Sequence, residues 1–506
     1  MHGCTFARLA TALAFTCALA VAATAPGQQY APTLVADPGY AQAHDAAVGN
    51  HLVSANLADA PKDLEKRVKD LESALKKIKD KEAADKKKAA GAMSAKVGGR
   101  IFVDHNMFGQ DAASRARFTD AQDTTYFRTV RLFVEGEGFC NSYYKAEIDF
   151  AGRSNFSTNT VLDHTHTDPQ GGATGAAGTH GHTISGAGQI LFKDVYLGIK
   201  ELPLIGRAQV GHFKEPFSVE ELTSSRFITF EERALPNALV PGRNIGAMFL
   251  KATEAEYATF AAGIFRQVGE NPPFLATDNG NWAGTCRTTW LPWYDEATDG
   301  RGLLHIGGAY SYRDTTNQTG PDGSTFTLAA RPETGAGVNI LNASLTTVTN
   351  YHLIGQEVAL VWGPLSIQAE YVGAQFNRSG AGVPDAYADG GYCYLSWFLT
   401  GENRNYKRAE GRFDRVKPNT NFFRVRTEDC VIETGWGAWE LGYRYSFLNA
   451  TDAAFTGRGY VSDHTLGCNW YLNPYMRVMF NFVHGQNLFG ADDYIDGFTM
   501  RAQVDF

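Results

Sequence analysis

The chain has 506 residues and a formal net charge of −8, with an isoelectric point near 5.9; that balance excludes a general nucleic-acid binder, which needs a basic face. Hydrophobic residues make up 44% and aromatics 12%, with 22 Tyr, 32 Phe, 53 Gly and only 18 Pro, a composition of many strands joined by turns. A mean hydropathy of −0.26 excludes a helical multi-span protein but not a membrane barrel, whose strands need only every second residue apolar.

At the N-terminus, Arg8 precedes an apolar stretch from Leu9 to Ala23 with small-residue patterns such as Ala20-Val21-Ala22, so residues 1–25 read as a secretory signal peptide and the protein as exported. Residues 26–60 are polar and small, a flexible lead-in. From 61 to 91, Leu64, Val68, Leu71, Leu75 and Ile78 step by four and three between Pro61 and Gly91, the seam of a short periplasmic coiled coil. Its lysine-rich tail suits contact with an anionic cell-wall polymer. Of seven cysteines, Cys4 and Cys17 fall in the signal and the other five are scattered singly, which provides neither a disulfide framework nor a zinc site.

From Lys96 the helical period gives way to alternation. KVGGRIFVDH places Val97, Ile101 and Val103 on one face and Arg100, Phe102 and Asp104 on the other, and YKAEIDFA, VYLGIK, GWGAWELGYRY and the terminal DGFTMRAQVDF repeat the pattern. Sixteen such strands can be counted, beginning near 96, 125, 142, 190, 206, 244, 256, 282, 302, 351, 366, 389, 435, 460, 475 and 494. An even number puts both ends of a closed outer-membrane barrel at the periplasm, and places the tight Gly363-Pro364 and Asn473-Pro474 connections there too. The connection at 401–434 falls on the same side despite its length. The expected class is therefore all-β, a 16-stranded antiparallel transmembrane barrel over residues 96–506. Parity assigns Arg100, Arg131, Lys145, Arg287, Arg444, Arg477 and Arg501 to the lumen and Arg128 to the opposite face, snorkelling at an interface.

One stretch breaks the alternation: GHFKEPFSVEELTSSRFITFEERALPNALVPGRNIG, residues 211–246. Its Phe213, Phe217, Leu222, Phe227, Ile228, Phe230 and Leu235 would be badly placed in water, so the expectation is an inward-folded third loop that brings Lys214, Arg226, Arg233 and Arg243 to a basic constriction. The loop DHTHTDPQGGATGAAGTHGHT carries His164, His166, His180 and His182, but a glycine-rich surface loop loses much ordering entropy on closing around a metal, and no metal is assigned.

YFRTVRLFVEGEGF, FKEPFSVEELTSS, FEERALPNALVPGRNIG, TGENRNYKRAEGRFDRVKP and NWYLNPYMRVMFNFVHG, in that order along residues 96–506, resemble the phosphate-selective porin O and P family. The resemblance implies a homotrimer in outer-membrane lipid whose pore conducts inorganic anions, phosphate or polyphosphate among them, and matches Arg226, Glu232 and Arg233 to the family's loop positions. A planar guanidinium at 226 suits two-point oxyanion contact. HExxH, GxSxG, P-loop and dinucleotide motifs are absent from the sequence, so neither enzyme activity nor a cofactor is expected. Two alternatives stand beside the anion channel: a general or nutrient-specific porin without strong anion preference, and a structural protein anchoring the envelope through 61–91.

Overall fold

Alternation of apolar and polar residues closes this chain into a ring. The computed structural model describes residues 93–139, 141–152, 189–270, 280–315, 324–426, 432–489 and 493–506. The signal peptide, lead-in, coiled coil and histidine loop expected from the sequence lie outside them.

Sixteen strands build the wall. They are β1 (Lys96–Gln110), β2 (Thr124–Gly138), β3 (Ser142–Gly152), β4 (Gln189–Leu202), β5 (Gly206–Lys214), β6 (Arg243–Ala252), β7 (Ala258–Arg266) and β8 (Trp282–Tyr294), followed by β9 (Gly302–Asp314), β10 (Leu341–Trp362), β11 (Leu365–Arg378), β12 (Ala386–Phe398), β13 (Ala438–Ala450), β14 (Gly459–Asn473), β15 (Met476–Asn487) and β16 (Asp493–Asp505). Each pairs antiparallel with the next, and β16 pairs back onto β1 from Ile495↔Gln110 to Asp505↔Arg100, so the wall has no open edge. A further short strand, Ser324–Ala330, folds onto the extended first half of β10 as a hairpin above the ring.

The two faces differ as a membrane requires. Leu132, Ile264, Leu395 and Leu466 point outward with much of their surface exposed, whereas inner-face Arg100, Glu147, Arg287, Glu440 and Arg501 are buried. Seven of the eight tryptophans, all but Trp282, fall near the strand ends beside the short turns, where amphipathic rings suit a lipid–water boundary. Phe506, just past the last strand, shares that end and exchanges backbone hydrogen bonds with Gly99 at 2.9 and 3.0 Å.

Parity holds until a bulge interrupts it. Phe102 opposes Thr129 but Val103 opposes Phe127, so Arg128 is the extra residue. That single insertion turns Arg128 to the inner side, where it grips Glu232 at 2.8 Å, and overturns the expectation that it snorkels outward.

Connections at one end are tight, as at Gly363-Pro364, whose Gly363 adopts the left-handed conformation such a turn demands. At the other end they are long, notably 215–242 and 315–340. The connection 399–437 is the exception at the short-turn end, and within it residues 402–416 make polar contacts along the inner face. Arg404 donates to Gln368, Tyr406 meets His305 at 2.6 Å, and the Gly411 carbonyl accepts from Arg287 at 2.7 Å.

Candidate functional site

Residues 215–242 leave β5 and contact strands on the far side of the ring. The apolar side chains that would fare badly in water are the ones that seat: Phe217, Ile228, Phe230 and Leu235 are buried. Phe230 lies against Gly442 and Gly467, cross-strand partners on β13 and β14, where an added Cβ would come within 3.0 and 3.1 Å of its ring. Phe217 uses Gly355 on β10 in the same way. Each buried phenyl ring contributes about 1.5–3 kcal/mol toward holding the segment.

The backbone of the segment is held by side chains of the wall. Between residues 226 and 232, five carbonyls accept hydrogen bonds from inner-face donors: Arg226 O from Gln503, Ile228 O from Arg477, Thr229 O from Asn469, Glu231 O from Arg501 and Glu232 O from Arg444. Backbone that lacks secondary structure must find partners somewhere, and here strands β13 to β16 provide them. Residues 219–222 form one helical turn whose first two N–H groups donate to Glu370 at 3.1 and 2.8 Å.

Between this segment, the 402–416 stretch and the short-turn end of the wall lies a cavity of about 1280 Å³. Seventeen lysine and arginine side chains line it against nine carboxylates. At and just behind its surface, carboxylates are shared between cations. Glu147 meets Arg100 at 2.8 Å, Arg131 at 2.9 Å and Lys145 at 3.1 Å. Asp194 meets Lys145 at 2.8 Å and Arg243 at 2.7 Å. Glu221 holds Lys214 and Arg233, both at 3.0 Å, and Glu232 holds Arg128 and Arg501. Glu410 takes Arg207, Lys407 and Arg412. Sharing fixes long side chains in place, and among the groups that line the cavity surface, which an entering ion meets first, cations outnumber carboxyl groups.

Two adjacent loop carboxyls experience opposite environments. Burial alone would raise Glu232, but Arg128 and Arg501 outweigh it and hold the group well below the usual carboxylate range. Glu231 is 1% exposed and neither of its oxygens makes a well-formed hydrogen bond among the described residues. Burial pushes its carboxyl up to about 8, with Arg501 opposing and Asp104 reinforcing; the Thr499 hydroxyl offers partial relief.

The residues singled out from sequence separate into two groups. Lys214, Arg226, Arg233 and Arg243 line the cavity, as do Arg100, Arg131, Lys145, Arg287 and Arg501. Arg444 and Arg477 do not: they lie beneath the 215–242 segment, Arg444 against Glu220 and Glu333 and Arg477 against Ile228 O and Gln503, so they hold the segment rather than face the cavity. Arg233 also donates to the carbonyls of Glu220, Glu221 and Thr223. Lys193, Arg207, Lys407, Arg412 and Arg415 line the cavity without having been singled out. The signal for Lys407, Arg412 and Arg415 was the density of basic residues in NRNYKRAEGRFDRVK, on a connection too long for its end of the barrel. Among the described residues no cluster of metal-binding side chains occurs.

Comparison with known proteins gives one family, "Phosphate-selective porin O and P", whose model matches residues 96–506. Porin O of Pseudomonas aeruginosa is 27% identical over 450 residues, covering 82% of this chain and 88% of that protein. Among solved structures, trimeric OmpT of Vibrio cholerae is 12% identical with a TM-score of 0.43, covering 82% of this chain and all of that one. Pseudomonas aeruginosa OpdK with vanillate is 10% identical with a TM-score of 0.37, covering 81% and 99%.

Proposed function

The chain belongs to the phosphate-selective porin O and P family, and from that premise we propose that this outer-membrane porin channel conducts small anions passively, inorganic phosphate or polyphosphate among them. It is a channel and not an enzyme. The observation that carries the anion reading is the excess of cavity-lining cations over carboxylates, seventeen against nine. On this reading residues 215–242 are the inward-folded third loop and the pore's constriction. The short-turn end faces the periplasm, and three copies assemble in the membrane.

Selection follows from fixed positive charge in a narrow passage with low-dielectric walls, which lowers the barrier for anions and raises it for cations. Basic groups at successive positions, each already half-satisfied by a shared carboxylate, hand the ion on rather than trap it. An oxyanion can match the planar forks of Arg226, Arg233 and Arg243 two oxygens at a time.

The test is electrical. Single channels in a planar bilayer under a salt gradient should give an anion-selective reversal potential, and phosphate should block the chloride current. Arg226→Ala combined with Arg233→Ala should raise the half-blocking phosphate concentration by about tenfold, the loss of roughly one charge-assisted contact. A cation-selective reversal potential would sink the reading.

A further inference from the structure

Asp505, the penultimate residue, occupies an unusual position. Two arginines from two different connections meet its carboxylate: Arg415 Nη1, from 399–437, donates to Oδ1 at 3.1 Å while Nη2 contacts Oδ2, and Arg226 Nη1, from 215–242, stands 3.5 Å from Oδ2. Asp505 is 2% exposed, whereas the two arginine side chains are 20% and 21% exposed, on the cavity. Phe227 lies between them, its ring 5.0 Å from each guanidinium carbon, and Tyr475 covers Arg415 at 4.7 Å.

We propose that Arg226 and Arg415 form a paired oxyanion site at the short-turn end of the cavity, in which Asp505 is a resident counter-ion that a passing phosphate displaces. The proposal deepens the anion-channel reading and rests on it. Three features carry it. Arg226 is held loosely, with contacts of 3.4 Å to Ser224 and 3.5 Å to Asp505, whereas Arg131, Arg243 and Arg501 each make a bond of 2.7 or 2.8 Å to a carboxylate; bonds beyond about 3.2 Å are weak. The aromatic rings position both forks by stacking, so the guanidinium groups stay in place when the carboxylate lets go. Two guanidinium groups face one carboxylate that fully engages only Arg415, so an oxyanion with oxygens on several sides can match both forks at once where the carboxylate does not.

The ligand class that follows is a compact oxyanion with oxygens on several sides. Held between the two arginines, such an ion also ties the 215–242 segment to the 399–437 connection for as long as it stays. Asp505 then sets residence time: by competing for the same two forks it keeps binding weak enough for release.

The probe is inorganic phosphate, read as block of chloride current through reconstituted channels whose heat-modifiable gel mobility shows an assembled barrel. Removing the resident charge with Asp505→Asn should lower the half-blocking phosphate concentration by about tenfold and lengthen individual blocks, whereas Arg415→Gln should raise it by a similar factor. If Asp505→Asn does not assemble, Arg415→Gln decides alone. Unchanged or weaker block in an assembled Asp505→Asn channel, or unchanged block in Arg415→Gln, overturns this site while leaving an anion-selective channel intact. A cation-selective wild-type channel overturns both readings at once.

Discussion

Arg226 and Arg444 carry the same charge into the same barrel, yet they do different work because their surroundings differ. Arg444 is fully buried between Glu220 and Glu333, and removing it would leave two buried carboxylates uncompensated. Arg226 is partly open to the cavity and loosely paired. Strand parity put Arg444 on the inner face but could not show that a loop residue would cover it, since that depends on contacts more than two hundred positions apart. Glu231 offers a sharper test at this scale. Its folded carboxyl keeps a proton up to about pH 8, while in the unfolded chain it ionises near 4.5. A raised carboxyl means that the native state binds more protons between those values, so stability is fully present below about pH 4.5 and declines as pH rises toward about 8. Glu231→Gln, neutral throughout, should therefore unfold at the same temperature as wild type at pH 4 and at a higher one at pH 8.5, by a few kcal/mol at most. Equal unfolding temperatures at pH 8.5, followed by heat-modifiable gel mobility, would place the carboxylate in contact with water or a cation.

The 215–242 segment shows how an irregular element is made rigid. Its aromatic residues were legible in the sequence as a group that water would not tolerate, and five loop carbonyls are held by Gln503, Arg477, Asn469, Arg501 and Arg444. The sockets were not legible, because Gly442 and Gly467 look like any strand glycines until Phe230 is seen against them. The bulge at Arg128 was equally hidden: one extra residue reverses the facing of a side chain, and nothing in YFRTVRLF marks where it falls. The 402–416 stretch left a clear trace, a basic connection of anomalous length, whose meaning needed its partners Arg287, His305 and Gln368. Filling a socket tests the element. Gly442→Val or Gly467→Val should push Phe230 out of its seat at a cost of about 1–3 kcal/mol, the usual range for overpacking. The expected signature is a larger and noisier single-channel conductance with the barrel still assembled. Conductance and noise identical to wild type would mean that the ring does not set the position of the segment.

At the scale of the whole molecule, a chain with a net charge of −8 encloses a cavity with seventeen cations and nine carboxylates. Sequence alternation made the closed ring legible, since a period of two over sixteen strands leaves few other ways to hide one face and expose the other. The internal excess of charge was not legible from composition, because the acidic residues that reverse the total lie elsewhere. This separation has a consequence for ionic strength. Carboxylate-shared arginines such as Arg100 and Arg131 are buried and little screened, so salt should hardly alter the unfolding temperature of the barrel. The excess field in the open cavity is screened, over about 10 Å at 0.1 M and about 3 Å at 1 M. The anion-to-cation permeability ratio from reversal potentials should therefore fall severalfold toward unity between those concentrations, at constant barrel stability. A ratio that stays constant would point instead to selection by direct contact at a site too narrow for screening ions to enter, and would shift the weight of selectivity from the cavity's summed charge to individual forks such as Arg226 and Arg243.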